Sequence, residues 1–242
     1  MIGKGYVATP GRRSKGYPRM SGREVVSLTL DRLADLPDPC AGCIFWEVAP
    51  ALTARSVADG SSLLDKEAWL SSVLLEWGSV GKVVYVDGRA AGYVTYAPPH
   101  LVPRSQAFAT TPVSADAMLL ITARVPPEFA GQGLGRLLVQ SAAKDLLRRG
   151  VRAIEAFART APDPQVLPSN RCLLPAEFLM AVGFKTVRPH PAYPRLRLDL
   201  RSVLSLREDV EQAVERLLST VRTPALGRGQ RLEPLRRWGR YE

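Results

Sequence analysis

Cysteine and histidine are scarce in this chain, whose 242 residues include three cysteines and two histidines. Three thiols do not build the disulfide framework of a secreted domain, and they suit a reducing compartment. Cys40 and Cys43 form a C-x-x-C pair, but no second pair follows at zinc-finger spacing, and Cys172 or His190 would complete a site only through the fold. A redox pair stays open, although a thioredoxin-like context is absent. We therefore predict no metal site and expect two small apolar residues in a buried turn.

Long apolar runs are also missing from the chain. No stretch reaches about 18 consecutive apolar residues, the length that a membrane-spanning helix needs. The N-terminus lacks the apolar core of a signal peptide. Hydrophobic residues make up 46% of the chain and charged residues 23%, which is ordinary for a folded domain. We expect a cytoplasmic protein with no membrane partner.

Acidic residues are absent from the first 23 positions, which carry six lysines and arginines. Residues 226–242 carry a net charge of +3, so residues 24–225 contribute only +1 to the total of +10. The basic charge therefore belongs to the two ends, which we predict to be a disordered basic arm (1–22) and a basic tail (223–242). The alternative is a nucleic-acid-associated protein whose ends contact phosphates weakly through counterion release.

Strand and helix patterns alternate through residues 23–222. We find no internal repeat or linker there, so we predict one α/β domain around a mixed sheet. Ser205 and Glu208 form a capping box ahead of an apolar stripe, which predicts a helix over 205–221 that packs on the sheet or forms a homodimer contact. The predicted strands are 24–30, 82–97 (a hairpin with a turn at Asp87-Gly88), 117–125, 151–158, 184–190 and 195–200, and the other predicted helices are 63–77, 135–149 and 175–182.

Three glycines stand on alternate positions at 131, 133 and 135, between a proline pair and a helical pattern. Glycine lets a backbone N–H approach a ligand with no side chain between them, and the amides that lead into a helix are unpaired donors at its positive end. This pattern predicts a phosphate cradle. Its spacing differs from the G-x-G-x-x-G of dinucleotide folds, and Arg136 stands where a P-loop has lysine. The pattern therefore favours a pyrophosphate other than that of a nucleoside triphosphate.

An apolar strand and the run Val125-Pro126-Pro127-Glu128-Phe129 precede this glycine turn. Together with the order of elements over residues 23–200, they resemble the GNAT acetyltransferase superfamily. The resemblance implies a single domain with a central mixed, mostly antiparallel sheet flanked by helices. It implies acetyl-CoA as co-substrate and transfer of its acetyl group to a primary amine of a small molecule or peptide in a ternary complex.

The resemblance also implies which residues bind the cofactor. In the family, a bulge in the strand before the turn pairs through its backbone with pantetheine, and the amides of the turn bind pyrophosphate. The residues implied here are Ala123, Arg124 and Val125 for the bulge, and Ala130, Gly131, Gln132, Gly133, Leu134, Gly135 and Arg136 for the turn.

Two positions depart from the family's pattern. Ala130 stands where members commonly have Arg or Gln, so one side-chain contact to phosphate is missing while the amides remain. Leu179 aligns with a tyrosine that protonates the leaving thiolate in many members, and leucine has no proton to donate. Leu179 favours an alternative from another class, a non-catalytic domain that binds acyl-CoA as a sensor or partner module.

Acetyl transfer to an amine needs a base, and Glu155 is the candidate that the strand pattern favours. It alternates onto the apolar face of its strand, together with Phe157. The competing interpretation is an ion pair with an arginine such as Arg124. Tyr193 is a candidate for the missing acid.

Other polar and aromatic residues carry weaker predictions. Glu47 and Asp116 are acids that surface solvation explains adequately. The run Phe45-Trp46-Glu47 is a candidate for the wall of the acceptor pocket, and a plain hydrophobic anchor explains its two aromatic residues equally well.

Overall fold

A computed structural model describes residues 22–37, 39–160 and 172–200 of the chain. The basic arm predicted over 1–22 (except residue 22), the basic tail predicted over 223–242 and the helix predicted over 205–221 lie outside these residues. Within the described part of the chain, no helix has the length and apolar character needed to cross a membrane.

One sheet of eight strands runs through the described residues. In chain order they are β1 (Arg23–Ser27), β2 (Gly81–Val86), β3 (Arg89–Ala97), β4 (Ala117–Arg124), β5 (Ala153–Arg159), β6 (Leu174–Pro175), β7 (Lys185–Arg188) and β8 (Arg195–Asp199). The order across the sheet is β1-β2-β3-β4-β5-β8-β7, and β6 pairs with β5. Only the β4–β5 and β5–β6 pairs of this sheet are parallel. The mixed, mostly antiparallel sheet that the resemblance implies is confirmed.

Four α-helices accompany the sheet in the described ranges: α1 (Pro50–Ala58), α2 (Ser62–Trp77), α3 (Leu134–Arg148) and α4 (Ala176–Ala181). The last three begin and end within one residue of their predicted bounds. The first was not predicted, because it has only nine residues, fewer than the roughly 11 over which helical periodicity is recognised, and none of them is buried.

The predicted turn at Asp87-Gly88 joins β2 to β3. Both residues have positive φ, 49° and 77°. Such a pair is typical of the type I′ turn, whose twist matches that of the strands. The turn therefore fixes the β2–β3 hairpin, and β3 pairs with β4 on its other side.

The sheet is covered on both faces, and neighbouring residues of β4 take part in different cores. Met118 and Leu120 pack with residues of α3 and α4, and we call this side the α3 face. Leu119 and Ile121 pack with residues of α2, on what we call the α2 face. This alternation explains why β4 is a nearly continuous apolar run in the sequence.

A buried carboxylate ties α3 to the β2–β3 hairpin. Asp145 accepts hydrogen bonds from Tyr96 Oη (2.8 Å), Lys82 Nζ (3.2 Å), Arg149 Nε (3.1 Å) and Arg148 Nη2 (3.2 Å). Burial by itself would raise the pKa of Asp145, but these donors and charges hold that pKa well below its usual range. The stabilisation is therefore present above the unfolded pKa of about 3.9 and is lost as the pH falls below it.

We expect Asp145→Asn to lower the free energy of unfolding by about 2 kcal/mol near neutral pH, because it removes a charge shared by four donors. Since the variant lacks the titrating group, its deficit should shrink towards pH ~3. Urea unfolding at both pH values measures this. The matched control is Arg148→Ala, whose side chain is 74% exposed and should contribute less than about 1 kcal/mol. A deficit that does not change with pH would contradict this role of Asp145.

Candidate functional site

The parallel strands β4 and β5 separate after a short paired stretch. Their ladder joins residues 117–119 to residues 153–155 and then stops. Within the described residues, positions 120–124 of β4 pair only with β3. The edge of β4 that faces β5 is therefore unpaired along this length. We call this opening the β4–β5 wedge.

A β-bulge lies in β4 at the wedge. Two successive residues of β3 pair with Thr122 and Leu120, so Ile121 is the extra residue. The resemblance implied a bulge over residues 123–125, and that position is wrong, because Ala123 and Arg124 pair regularly with β3. The bulge still lies on the strand that leads into the glycine turn. A contact of residues 123–125 with pantetheine stays a prediction.

The glycine turn leads into α3 as predicted. Gly131 and Gly133 both have a φ of 75°, a conformation that other L residues rarely adopt. Gly133 is the N-cap and no side chain caps the helix. The first amide that bonds back to the helix start is that of Leu137, which donates to the Gly133 carbonyl (3.1 Å). A Cβ at either glycine would have nothing within 4 Å, so there is open space beside these amides at the positive end of a helix.

The third glycine has a packing role that the sequence did not reveal. A Cβ on Gly135 would lie 3.1 Å from the ring of Phe178, so glycine allows α4 to lie close to α3. Arg136 joins the same two helices, because its Nη2 donates to the carbonyl of Ala181 (2.9 Å). A pyrophosphate contact of Gly135 or Arg136 stays a prediction beside these structural roles.

Leu179 of α4 is fully buried among the core residues of the α3 face. Its carbonyl accepts a hydrogen bond from the amide of Phe184 (3.0 Å). This position therefore supplies packing and no side-chain proton.

Glu155 is fully buried and is held by arginines of β8. Arg197 Nη1 donates to its Oε1 (3.3 Å), while Arg195 Nε lies 3.2 Å from its Oε2, which also accepts the Ser114 amide (3.2 Å). The predicted alternative of an ion pair is present, but its partner is not Arg124. The sheet register places Arg197 directly opposite Glu155. Because both carboxylate oxygens are engaged, these contacts favour a structural role over proton transfer.

An aromatic cluster of four residues fills the α2 face beside the wedge. Phe157 of β5 stacks on Phe108 with 4.4 Å between ring centroids, and Trp46 stacks on Phe108 at 5.4 Å. The ring of Tyr193 meets Phe108 edge-on at 6.1 Å. Tyr193 thus packs on the α2 face, whereas Leu179 lies in the core of the α3 face, and the role of Tyr193 as an acid stays a prediction. Phe108 was not predicted, because it sits in the proline-rich segment between β3 and β4, where the sequence has no periodicity.

The two weaker acids have different surroundings. Glu47 was expected at the surface, which is wrong: it forms a buried ion pair with Lys66 of α2, with side chains 2% and 7% exposed. Lys66 Nζ also donates to the carbonyl of Cys43 (2.9 Å), so α2 anchors the segment 43–47. Asp116 is partly exposed and accepts two hydrogen bonds of 2.9 Å from Arg197, and this guanidinium lowers the pKa of Asp116.

Other regions offer less to a ligand. In residues 22–37, 39–160 and 172–200, no three or more His, Cys, Asp or Glu residues are grouped to hold a metal ion. A pocket of about 450 Å³ opens at the far end of α3, where residues 149–152 meet the end of α2 and the start of β4. It includes neither the glycine turn nor the wedge. The turn and the wedge therefore form the candidate site.

Comparison with known proteins places the same region in a family. The model of the acetyltransferase (GNAT) family matches residues 43–167, which include the glycine turn and strands β2 to β5. No curated protein matches the chain significantly.

Solved structures that are similar to the chain include three N-acetyltransferases. The PaiA N-acetyltransferase of Thermoplasma acidophilum in complex with coenzyme A is 12% identical over 74% of this chain and 99% of its own, with a TM-score of 0.49. The ribosomal-protein-S18-alanine N-acetyltransferase of Escherichia coli is 15% identical over 74% and 94%, with a TM-score of 0.41. An N-acetyltransferase of Staphylococcus aureus Mu50 is 13% identical over 74% and 99%, with a TM-score of 0.46.

Proposed function

Because the chain belongs to the GNAT acetyltransferase family, we propose that it transfers an acetyl group from acetyl-CoA to a primary amine by direct attack in a ternary complex. One observation carries the proposal: two sets of unpaired backbone groups follow each other along the chain. They are the β4 edge at residues 120–124 and the amides of residues 131–136. The edge suits the amide groups of pantetheine, and the turn suits a pyrophosphate.

The proposed reaction needs few catalytic side chains. The amine nitrogen attacks the thioester carbonyl carbon, the C–S bond breaks, and the charge on the carbonyl oxygen needs a donor while it lasts. A backbone amide of β4 near the bulge is the donor that we propose. The amine must also lose a proton, and coenzyme A leaves as a thiolate that takes one up.

The acceptor side of the wedge is formed by the aromatic cluster and by segment 43–47. Trp46, Phe108 and Phe157 make this side apolar, and the buried Glu47–Lys66 pair fixes it to α2. An apolar wall lowers the local dielectric around the reacting atoms, which strengthens every electrostatic contact there. We propose that it receives the amine of a small molecule or a peptide.

Tyr193 is the acid that we propose for the leaving thiolate. We expect Tyr193→Phe to lower kcat about tenfold, a modest effect because a thiolate is a fair leaving group even without protonation. Tyr85→Phe, which removes a hydroxyl that bonds Asp35 on β2 and not at the wedge, is the control and should keep the wild-type kcat. Steady-state kinetics with saturating acetyl-CoA measure both variants. An unchanged kcat for Tyr193→Phe would remove Tyr193 from the mechanism.

The function is tested by incubating the full chain with acetyl-CoA and a panel of amines while free coenzyme A thiol is measured. The panel holds a polyamine, an aminoglycoside, a peptide with a free N-terminus and a lysine peptide blocked at its N-terminus. Mass spectrometry of the amine should show one added acetyl group for each thiol released. Thiol release without an acetylated amine would reveal plain hydrolysis and contradict the proposal.

A non-catalytic acyl-CoA-binding domain is the second candidate, and buried Leu179 is the observation that favours it. In that case acetyl-CoA raises the unfolding temperature, as any ligand of the native state does. No amine of the panel is then acetylated. Thermal stabilisation together with turnover would instead exclude this candidate.

A further inference from the structure

Two cysteines that are far apart in sequence lie in contact beside the aromatic cluster. Cys43 Sγ is 3.2 Å from Cys172 Sγ, across a separation of 129 residues. Both cysteines are free, and neither is fully buried. A disulfide bond measures about 2.05 Å, so the two sulfur atoms need to approach by about 1.2 Å. Cys40, the other half of the C-x-x-C motif, is buried and is not the partner of Cys43.

The surroundings of Cys43 favour a thiolate. The hydrogen bond from Cys172, followed by that of the Phe45 amide, lowers the pKa of Cys43 to about 6, with a further contribution from the Lys66 charge. Donation to Cys43 raises the pKa of Cys172. The pair therefore contains one sulfur that attacks and one that resolves, which is the arrangement of redox-sensitive cysteines.

Both cysteines also have fixed positions. The carbonyl of Cys43 accepts the Lys66 ammonium (2.9 Å), and the carbonyl of Cys172 accepts the indole N–H of Trp46 (3.4 Å). Closing a bond between the two sulfurs therefore needs little movement of either backbone. It also joins the segment that holds Trp46 to the residues that enter β6.

We propose that Cys43 and Cys172 form a reversible redox site, which low-molecular-weight disulfides oxidise to an intramolecular disulfide. The Cys43 thiolate attacks one sulfur of the oxidant, forms a mixed disulfide and releases one thiolate. Cys172 then loses its proton, attacks the Cys43 sulfur and releases the second thiolate. Two protein thiols are oxidised, and one disulfide is reduced to two thiols. This proposal does not rest on the acetyltransferase function.

The test exposes the reduced full chain to oxidised glutathione and follows it by intact mass and by peptide mapping. We expect the loss of two hydrogen atoms, a cross-linked peptide that contains Cys43 and Cys172, and reversal by dithiothreitol. Because the bond closes a long loop, the oxidised protein should also unfold several degrees higher than the reduced one. The wild-type chain suffices for this part, so it does not depend on how a variant folds.

Two variants assign the roles within the pair. Cys172→Ala should retain a glutathione adduct on Cys43, because the remaining thiol, Cys40, is buried and does not resolve it. Cys40→Ala, the matched control, should form the cross-link as the wild type does. The proposal is overturned if both thiols remain open to alkylation after treatment, or if the cross-link joins Cys40 to Cys43.

Discussion

Gly133→Glu is expected to raise the dissociation constant for coenzyme A about 100- to 1,000-fold, because placing like charges together costs several kcal/mol. The turn residue has nothing within 4 Å of its Cβ position, so the added carboxylate extends into the space that we assign to pyrophosphate. The same open space leaves the fold room for the side chain. Isothermal titration calorimetry with coenzyme A measures the change.

Two controls separate charge from backbone strain. Gly133→Ala keeps the φ of 75° but adds no charge, so it should lose about 1 kcal/mol of stability and little affinity. Gly60→Glu places the same carboxylate at a glycine with a φ of 71° and equally open surroundings after α1. It should bind coenzyme A as the wild type does. Equal affinity of Gly133→Glu and the wild type for coenzyme A would contradict the proposed phosphate cradle.

Glu155→Ala is expected to lower the free energy of unfolding by about 3–5 kcal/mol, because it leaves a buried cation without its counter-charge. That cation is Arg195, whose side chain is 6% exposed and whose pKa burial lowers. Within the described residues, its Nε and Nη1 have no hydrogen-bond partner, so Glu155 compensates it by charge alone. Arg197 keeps Asp116 as a partner and is less affected. Urea unfolding measures the loss.

A second substitution distinguishes the structural role of Glu155 from a catalytic one. Glu155→Gln combined with Arg195→Met removes both charges and should recover most of the lost stability. If Glu155 only holds the sheet together, this double variant acetylates amines at nearly the wild-type rate, with an unchanged pH profile. A fall in kcat of about 100-fold and the loss of the rising limb of that profile would identify Glu155 as the base.

The sequence predicted those features that short stretches of chain determine by themselves. The glycines at 131 and 133 predicted a turn ahead of a helix, and the Asp87-Gly88 pair predicted a hairpin, because few residues adopt these backbone conformations. Helices α2, α3 and α4 were predicted because each buries part of its surface and so carries apolar periodicity. The short helix α1 has nine residues, none of them buried, and the search for apolar periodicity did not predict it.

Contacts between distant segments were beyond the sequence. Glu155 has Arg197 opposite it only because β8 pairs with β5 in one register, and nothing local in either strand states that register. The bulge at Ile121 likewise depends on how β3 pairs with β4. Cys43 meets Cys172 only after strands β2 to β5 have formed, and Glu47 meets Lys66 only once α1 has returned the chain into α2. The C-x-x-C spacing therefore suggested the wrong partner for Cys43.

The seam between β4 and β5 is short, at three residue pairs. Residues 117–119 and 153–155 carry the whole ladder between these strands, so rotation about this seam changes the gap beyond it while breaking few hydrogen bonds. A thioester arm bound in the gap would connect the two strand edges in place of the absent inter-strand hydrogen bonds. Binding of the ligand in the gap should then make the sheet stiffer. Amide exchange at residues 120–124 should slow when the gap is filled.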